Sequence, residues 1–189
     1  MESALIVSGT EKSSAVFAEI LRAASINHII TLQTCGEARR LLLEQDFDLV
    51  VVNAPLRDES GESFSRDTAS KGISQVILVV KNEYFDMVSA VVENDGVLTI
   101  SKPVNKPMLW SALTLARSAW RSVQRVQNEN AKLKQKIEDI RIVDRAKCLL
   151  ISHMNMSEQE AHRYIEKQAM DLRSTRRKVA EGILKTYES

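Results

Sequence analysis

The 189-residue chain has few of the residues that staple, punctuate or stack: two cysteines, three prolines, six glycines and 5% aromatics. Cys35 and Cys148 lie far apart and outside any CxxC, which excludes a disulfide framework and a zinc ribbon; both thiols are expected to be free in a reducing compartment. His28, His153 and His162 make no metal spacing with them, so neither a metal nor a cofactor is expected. No apolar run approaches the roughly 20 residues of a membrane span. The start MESALIV also lacks the basic stretch and cleavage pattern of a signal peptide. These absences lead to the expectation of a cytoplasmic chain with no membrane contact. With 44% apolar residues the chain can bury a real core, in one large or two small domains.

Charge is plentiful and unevenly placed. Residues 1–112 hold 10 Lys and Arg against 15 Asp and Glu, and residues 113–189 hold 16 against 10. The basic half is the candidate for a polyanionic partner. The solvated faces of long helices would give the same composition.

In the first half, short apolar runs alternate with helical patterns. SALIVSG (3–9), HIITL (28–32), DLVVV (48–52), QVILVV (75–80) and GVLTISKP (96–103) read as five strands. Helical spacing follows at 13–24, 36–44 and 84–93 and from about Pro107, whereas no element is assigned between 54 and 74. Strands separated by helices of this length imply right-handed crossovers and a parallel sheet covered on both faces. The expected fold class is α/β: a flavodoxin-like, doubly wound domain of about 115 residues with its functional groups at the strand C-termini.

The order of elements, with DLVVVN-APLRDESG at the third strand and ISKP at the fifth, resembles the receiver domain of two-component response regulators. That resemblance implies a magnesium ion on two acidic residues after the first strand, a phosphorylated Asp ending the third, a Ser or Thr after the fourth and a Lys-Pro after the fifth. On this chain those positions fall on Ser8 and Gly9, Asn53, Val80, and Lys102-Pro103, of which only the last matches. A hard cation needs carboxylate oxygens, and an amide nitrogen with a delocalised lone pair is not a nucleophile toward a phosphoryl group. The five positions Ser8, Gly9, Asn53, Val80 and Lys102 are therefore expected to form a degenerate phosphorylation site. Glu11 and Asp58 lie near but at no matching position. Lys102 is expected to pair with an acid or with the Asn53 carbonyl.

From about Lys106 the pattern is helical, with no Gly or Pro between Met108 and Ala180. Ala112, Ala116, Ala119, Val123, Val126, Asn130, Leu133, Ile137 and Ile140 alternate steps of four and three, the spacing of a coiled-coil seam. With Val123 at position a, Asn130 is also a, and one buried Asn in an aliphatic seam selects a parallel, in-register dimer. Val123, Val126, Asn130, Leu133, Ile137 and Ile140 are the dimerisation candidates. Glu129 and Lys134 form a favourable interhelical pair, while Lys136 and Arg141 oppose like charges. An amphipathic helix packed back on the first domain is the alternative.

Beyond the seam, Ser157 and Glu160 form a capping box that opens a helix at Glu158, with Ala161, Tyr164, Ile165, Ala169 and Leu172 inward. Ser174 is the cap candidate for a last helix carrying Val179, Ala180, Ile183, Leu184 and Tyr187 on one side. The runs DRAKCLL (144–150), MSEQEAHRYI (156–165), KQAMDLR (167–173) and KVAEGIL (178–184) resemble the ANTAR domain, the RNA-binding module of bacterial transcription antitermination regulators. Cys148 stands where that family usually has Gly. The resemblance implies binding of structured RNA, hairpins of a leader transcript. Lys147, Arg173, Ser174, Thr175, Arg176 and Arg177 are the candidates for that surface, because they concentrate charge and phosphate donors where one helix ends and the next begins. Lys147 could equally cap its own helix.

The expected organisation is a receiver-like domain at 1–118, a coiled-coil connector at 119–141 and a three-helix RNA-binding domain at 142–189. The expected function is that of a dimeric, non-enzymatic antitermination regulator that is not activated by phosphorylation and has a possible regulatory protein partner. A signalling adaptor or dimerisation protein without nucleic-acid binding is the alternative. A DNA-binding regulator is disfavoured, since the last helices lack the tight Gly turn of a helix-turn-helix.

Overall fold

The computed structural model describes residues 1–187; Glu188 and Ser189, the end of the expected 142–189 segment, lie outside the described residues. The chain folds as two compact units, Met1–Arg125 and Val126–Ser189.

In the first unit, five parallel strands, β1 (Ser3–Ser8), β2 (His28–Leu32), β3 (Leu49–Asn53), β4 (Gln75–Lys81) and β5 (Val97–Lys102), form one sheet in the order β2-β1-β3-β4-β5. The helices between them are α1 (Glu11–Ala23), α2 (Cys35–Glu44), α3 (Glu62–Ser70) and α4 (Phe85–Val92), and α5 (Lys106–Met154) follows β5. Alternate strand residues feed two cores. Ala4, Ile6, Leu49, Val51, Ile77 and Val79 meet Phe17 and Leu21 of α1 and Leu109 and Leu113 of α5. Leu5, Val7, Val50, Val52, Leu78 and Val80 meet Ala38, Phe64, Val88 and Val92 of the three helices on the other face. A strand buried on both faces needs an unbroken apolar run, and Leu49–Val52 supplies it.

Helix α3 occupies the stretch to which no element is assigned from the sequence. Its buried face consists of Phe64, Ser65 and Thr68. The two hydroxyls satisfy themselves on carbonyls four residues back, Ser65 Oγ on Gly61 and Thr68 Oγ1 on Phe64, each at 2.7 Å. A face buried through back-bonded hydroxyls has little apolar periodicity to detect.

Helix α5 is unbroken over 49 residues. Ala112 and Ala116, expected to begin the heptad seam, instead lie in the core against the sheet, because alanine lets the helix approach the strands closely.

In the second unit the last turns of α5 pack with α6 (Glu158–Asp171) and α7 (Arg176–Tyr187) around Ala146, Leu150, Ala161, Ile165 and Ala180. The capping box of α6 forms as expected: Glu160 N–H donates to Ser157 Oγ at 3.3 Å, and Ser157 N–H to the Glu160 carboxylate at 2.8 Å. Two residues expected inward are not. Leu172 follows the last turn of α6 and is exposed, and Tyr164 retains 36% of its surface.

Candidate functional site

Ser8 and Asn53 end β1 and β3 and are partners across the parallel ladder. The Asn53 amide accordingly donates to Ser8 Oγ at 2.9 Å, and Ser8 Oγ donates to the Thr10 carbonyl at 3.5 Å. Asn53 is buried, and its Oδ1 has no hydrogen-bond partner. An unsatisfied buried acceptor of this kind costs about 1–3 kcal/mol. Gly9 borders open space, and Val80 is packed in the core on the α2 to α4 side of the sheet.

Lys102 pairs neither with an acid nor with the Asn53 carbonyl; its Nζ donates to the next carbonyl, that of Ala54, at 2.5 Å. Burial of the ammonium, and then the charge of Lys81 beside it in the β4–β5 register, hold the Lys102 pKa below its ordinary value. Asp58 is occupied elsewhere, accepting from the N–H groups of Gly36 at 2.9 Å and Cys35 at 3.2 Å at the start of α2. Desolvation pushes its pKa up, but these backbone donors outweigh it, and the net shift is downward. Glu11 sits exposed in the first turn of α1.

The basic cluster is built by the junction of α6 and α7. Helix α6 closes with Ser174 N–H on the Ala169 carbonyl (2.8 Å) and Arg173 N–H on that of Met170 (3.1 Å), with Arg173 in the left-handed region at φ 47°. This paired closure normally recruits glycine. The Ser174 N–H closes α6, and the cap of α7 lies one residue on, where Thr175 Oγ1 accepts from Lys178 N–H at 3.3 Å. Ser174 is therefore not the N-cap expected from the sequence.

Lys147, Thr175, Arg176 and Arg177 line one cleft of about 410 Å3 between the end of α5, α6 and α7, together with Asp139, Asp144 and His162. Each cation there already holds a carboxylate. Lys147 bridges Asp144 at 2.8 Å and Glu158 at 3.0 Å, and its pKa rises through those two partners in that order. Arg177 bridges Glu181 and Asp139, both at 2.8 Å, and Arg176 meets Glu166 at 3.1 Å. The Arg177 hydrogen bond first, and Gln135 second, hold Asp139 below the usual carboxylate range. A carboxylate with a lowered folded-state pKa contributes stability above its unfolded value, and that contribution fades as the pH falls through the folded one. Among the described residues the side chains of Arg173 and Lys178 make no ion pair, and both are exposed. The sequence shows that the candidates gather at the junction of α6 and α7, but it cannot show which cations the acidic residues of neighbouring helices neutralise.

On α5 the seam candidates Val126, Leu133, Ile137 and Ile140 are 52%, 56%, 52% and 60% exposed; Asn130 is exposed and Val123 half-buried. Among the described residues no group of three His, Cys, Asp or Glu side chains is placed to hold a metal ion, and no helix is long and apolar enough to cross a membrane.

The profile of the ANTAR domain matches residues 131–184, the span that contains the α5–α6–α7 core and the basic junction. The transcriptional regulatory protein PdtaR of Mycobacterium tuberculosis (strain CDC 1551 / Oshkosh) is 30% identical over 139 residues, 74% of this chain and 68% of that protein. The aliphatic amidase regulator of Pseudomonas aeruginosa is 30% identical over 116 residues, 58% of this chain and 56% of that one. Among solved structures, the signal receiver domain of an HD domain-containing protein from Pseudomonas fluorescens Pf-5 superimposes with a TM-score of 0.57 at 18% identity, covering 65% of this chain and 91% of that one. The chemotaxis response regulator CheY4 of Vibrio cholerae gives 0.53 at 15% identity, covering 61% and 98%. The structural likeness establishes a receiver fold in the first unit. Together with the sequence relatives and the C-terminal match, it leads to one assignment: the chain belongs to the response regulators that carry an ANTAR domain.

Proposed function

We propose that this chain is an RNA-binding transcription antitermination regulator that works as a dimer in the cytoplasm, has no catalytic group of its own and is not switched by phosphorylation of its receiver-like unit. The observation that carries the reading is the ANTAR match over residues 131–184, within which the basic α6–α7 junction lies. In this reading residues 1–118 are a receiver-like domain lacking its phosphorylation site, 119–141 a coiled-coil connector and 142–189 the RNA-binding domain. Lys147, Arg173, Ser174, Thr175, Arg176 and Arg177 form the RNA surface, with Arg173 foremost because it makes no ion pair among the described residues. A filter-binding comparison of hairpin RNA with duplex DNA tests the reading. Retention of RNA, falling steeply with salt as released counterions require, is the expected outcome. Equal retention of duplex DNA contradicts it, and retention of neither identifies an adaptor instead.

The receiver fold implies a magnesium ion, and the residues here do not fit one. The groups at the strand ends are the Ser8 hydroxyl, the Asn53 amide with its orphaned oxygen and the Lys102 ammonium, with no carboxylate among them. A divalent cation would meet like charge from Lys102 and a single neutral oxygen from Asn53. Incubation with acetyl phosphate and magnesium is therefore expected to leave the mass of the chain unchanged, and magnesium alone to leave its thermal midpoint unchanged. A gain of one phosphate on the peptide containing Asn53 would overturn this. In this reading phosphate is not the signal, and control falls to expression level, a small ligand or, foremost, a regulatory protein partner.

The dimer rests on the exposed stripe Val126, Leu133, Ile137 and Ile140 with Asn130 at its centre. Asn130→Leu is expected to tighten association, because one buried amide per chain is replaced by a packed side chain, while relaxing register or chain number. Sedimentation equilibrium reads both effects. Weaker association of Asn130→Leu than of the natural chain would contradict the seam.

A further inference from the structure

A second surface on α6 lies apart from the cleft that holds Lys147 and Arg177. Met154 at the end of α5 and Met156 of the turn after it, with Arg163, Tyr164 and Lys167 of α6, line a shallow cleft of about 430 Å3. Tyr164 is 36% exposed and Met154 47%, so an aromatic and a thioether side chain both present surface to solvent in the same cleft. Arg163 and Lys167 are one helical turn apart and flank the ring, both are exposed, and among the described residues neither makes an ion pair. The one carboxylate lining this cleft, Glu160, is turned to Ser157, accepting from its N–H and its hydroxyl, each at 2.8 Å. Those two donors are the main reason its pKa is low, and Arg163 is a smaller one. The cleft thus places a partly exposed tyrosine beside two cations that make no ion pair among the described residues, in contrast to the ion-paired cations on the other flank of the helix.

We propose that Tyr164, between Arg163 and Lys167, is a stacking subsite for one unpaired base of the bound RNA, with the two cations on the adjoining phosphates. The inference rests on the RNA-binding reading above and extends it from the α6–α7 junction to the outer face of α6. An aromatic face is of use only to an unstacked base, so the subsite takes a loop or bulge nucleotide and not a duplex. The cationic rim matches a polyanion, whereas a docked apolar peptide would leave both charges without partners.

The test uses the full-length chain and the hairpin it enriches from a pool of RNAs with randomised loops. Stacking of a base on an aromatic side chain is worth about 1–3 kcal/mol. Tyr164→Ala is accordingly expected to weaken the enriched hairpin by about tenfold, and Tyr164→Phe, which keeps the ring, by less than about twofold. With 5-iodouridine in the loop, irradiation should join the RNA to the peptide carrying Tyr164. Affinity unchanged in Tyr164→Ala, with no crosslink on that peptide, overturns the subsite even where the Arg173→Ala, Arg176→Ala double variant loses binding and so upholds the parent reading. Enrichment of no RNA at all overturns both. A crosslink to Tyr164 together with equal losses in Tyr164→Phe and Tyr164→Ala locates the contact but replaces stacking with a hydrogen bond from the phenol, which also contradicts the proposal.

Discussion

Arg173→Gly is expected to make the chain more stable and a poorer RNA binder at the same time. Arg173 occupies the left-handed position that ends α6, at φ 47°. A side chain with a Cβ is strained there, and glycine is not. The strain relieved exceeds the extra backbone freedom that glycine brings to the unfolded chain, leaving a net gain of about 0.5–1 kcal/mol. At the end of α5 the same conformation is taken by Asn155 at φ 52°, a residue type that tolerates it. An arginine in such a place, exposed and with no ion pair among the described residues, is explained if its guanidinium is needed outside the chain. Contacts of this kind to phosphates or bases are worth about 1–3 kcal/mol. The enriched hairpin should therefore bind Arg173→Gly about tenfold less tightly, while the thermal midpoint rises by a few degrees. A variant that loses stability, or keeps full affinity, would show that the position serves the fold alone. Lys178→Ala, equally exposed but inside α7, should change affinity little.

Leu133→Asp combined with Ile137→Asp is expected to leave the chain monomeric at every accessible concentration. In the free chain these two side chains are 56% and 52% exposed, and in the proposed seam they are buried against their counterparts. Burying an aliphatic side chain contributes about 1.5–3 kcal/mol, so two positions in each of two chains remove about 6–12 kcal/mol before the repulsion of four buried carboxylates is counted. The proposed seam has little reserve, since its register would set Lys136 against Arg141, two like charges. Because both positions are exposed in the isolated chain, helix content should not fall. The monomer should keep its affinity for a single hairpin and lose only the advantage of engaging two hairpins on one transcript. A dimer that survives both substitutions would place association on another surface. An unfolded second unit would instead mean that this face of α5 packs within the chain.

How much of this could be read from the sequence differs from element to element. The unbroken apolar run Leu49–Val52 and its four partner strands point directly to a parallel, two-faced sheet, because burial on both faces leaves no alternative composition. Helix α3 escapes notice because two of its three buried side chains are hydroxyls bonded to their own helix. Ala112 and Ala116 fit the heptad spacing as well as they fit the sheet, and periodicity cannot tell which surface an alanine faces. The α6–α7 junction is legible as a basic turn; the pairing of Lys147 with Asp144 and Glu158, and of Arg177 with Asp139, depends on how separate helices pack. Tyr164 reads as inward because it falls at helical spacing from Ala161, yet the core of Ala146, Leu150, Ala161, Ile165 and Ala180 does not include it, and it stays 36% exposed.

The most direct test of the central claim is to crosslink the full-length chain to nucleic acid by ultraviolet light in cells that express it and to sequence what remains attached. The account predicts fragments concentrated in a few leader transcripts, each carrying hairpins with unpaired loops ahead of a terminator, and their loss in the Arg173→Ala, Arg176→Ala variant. Fragments distributed like total RNA, unchanged by that variant, would contradict it.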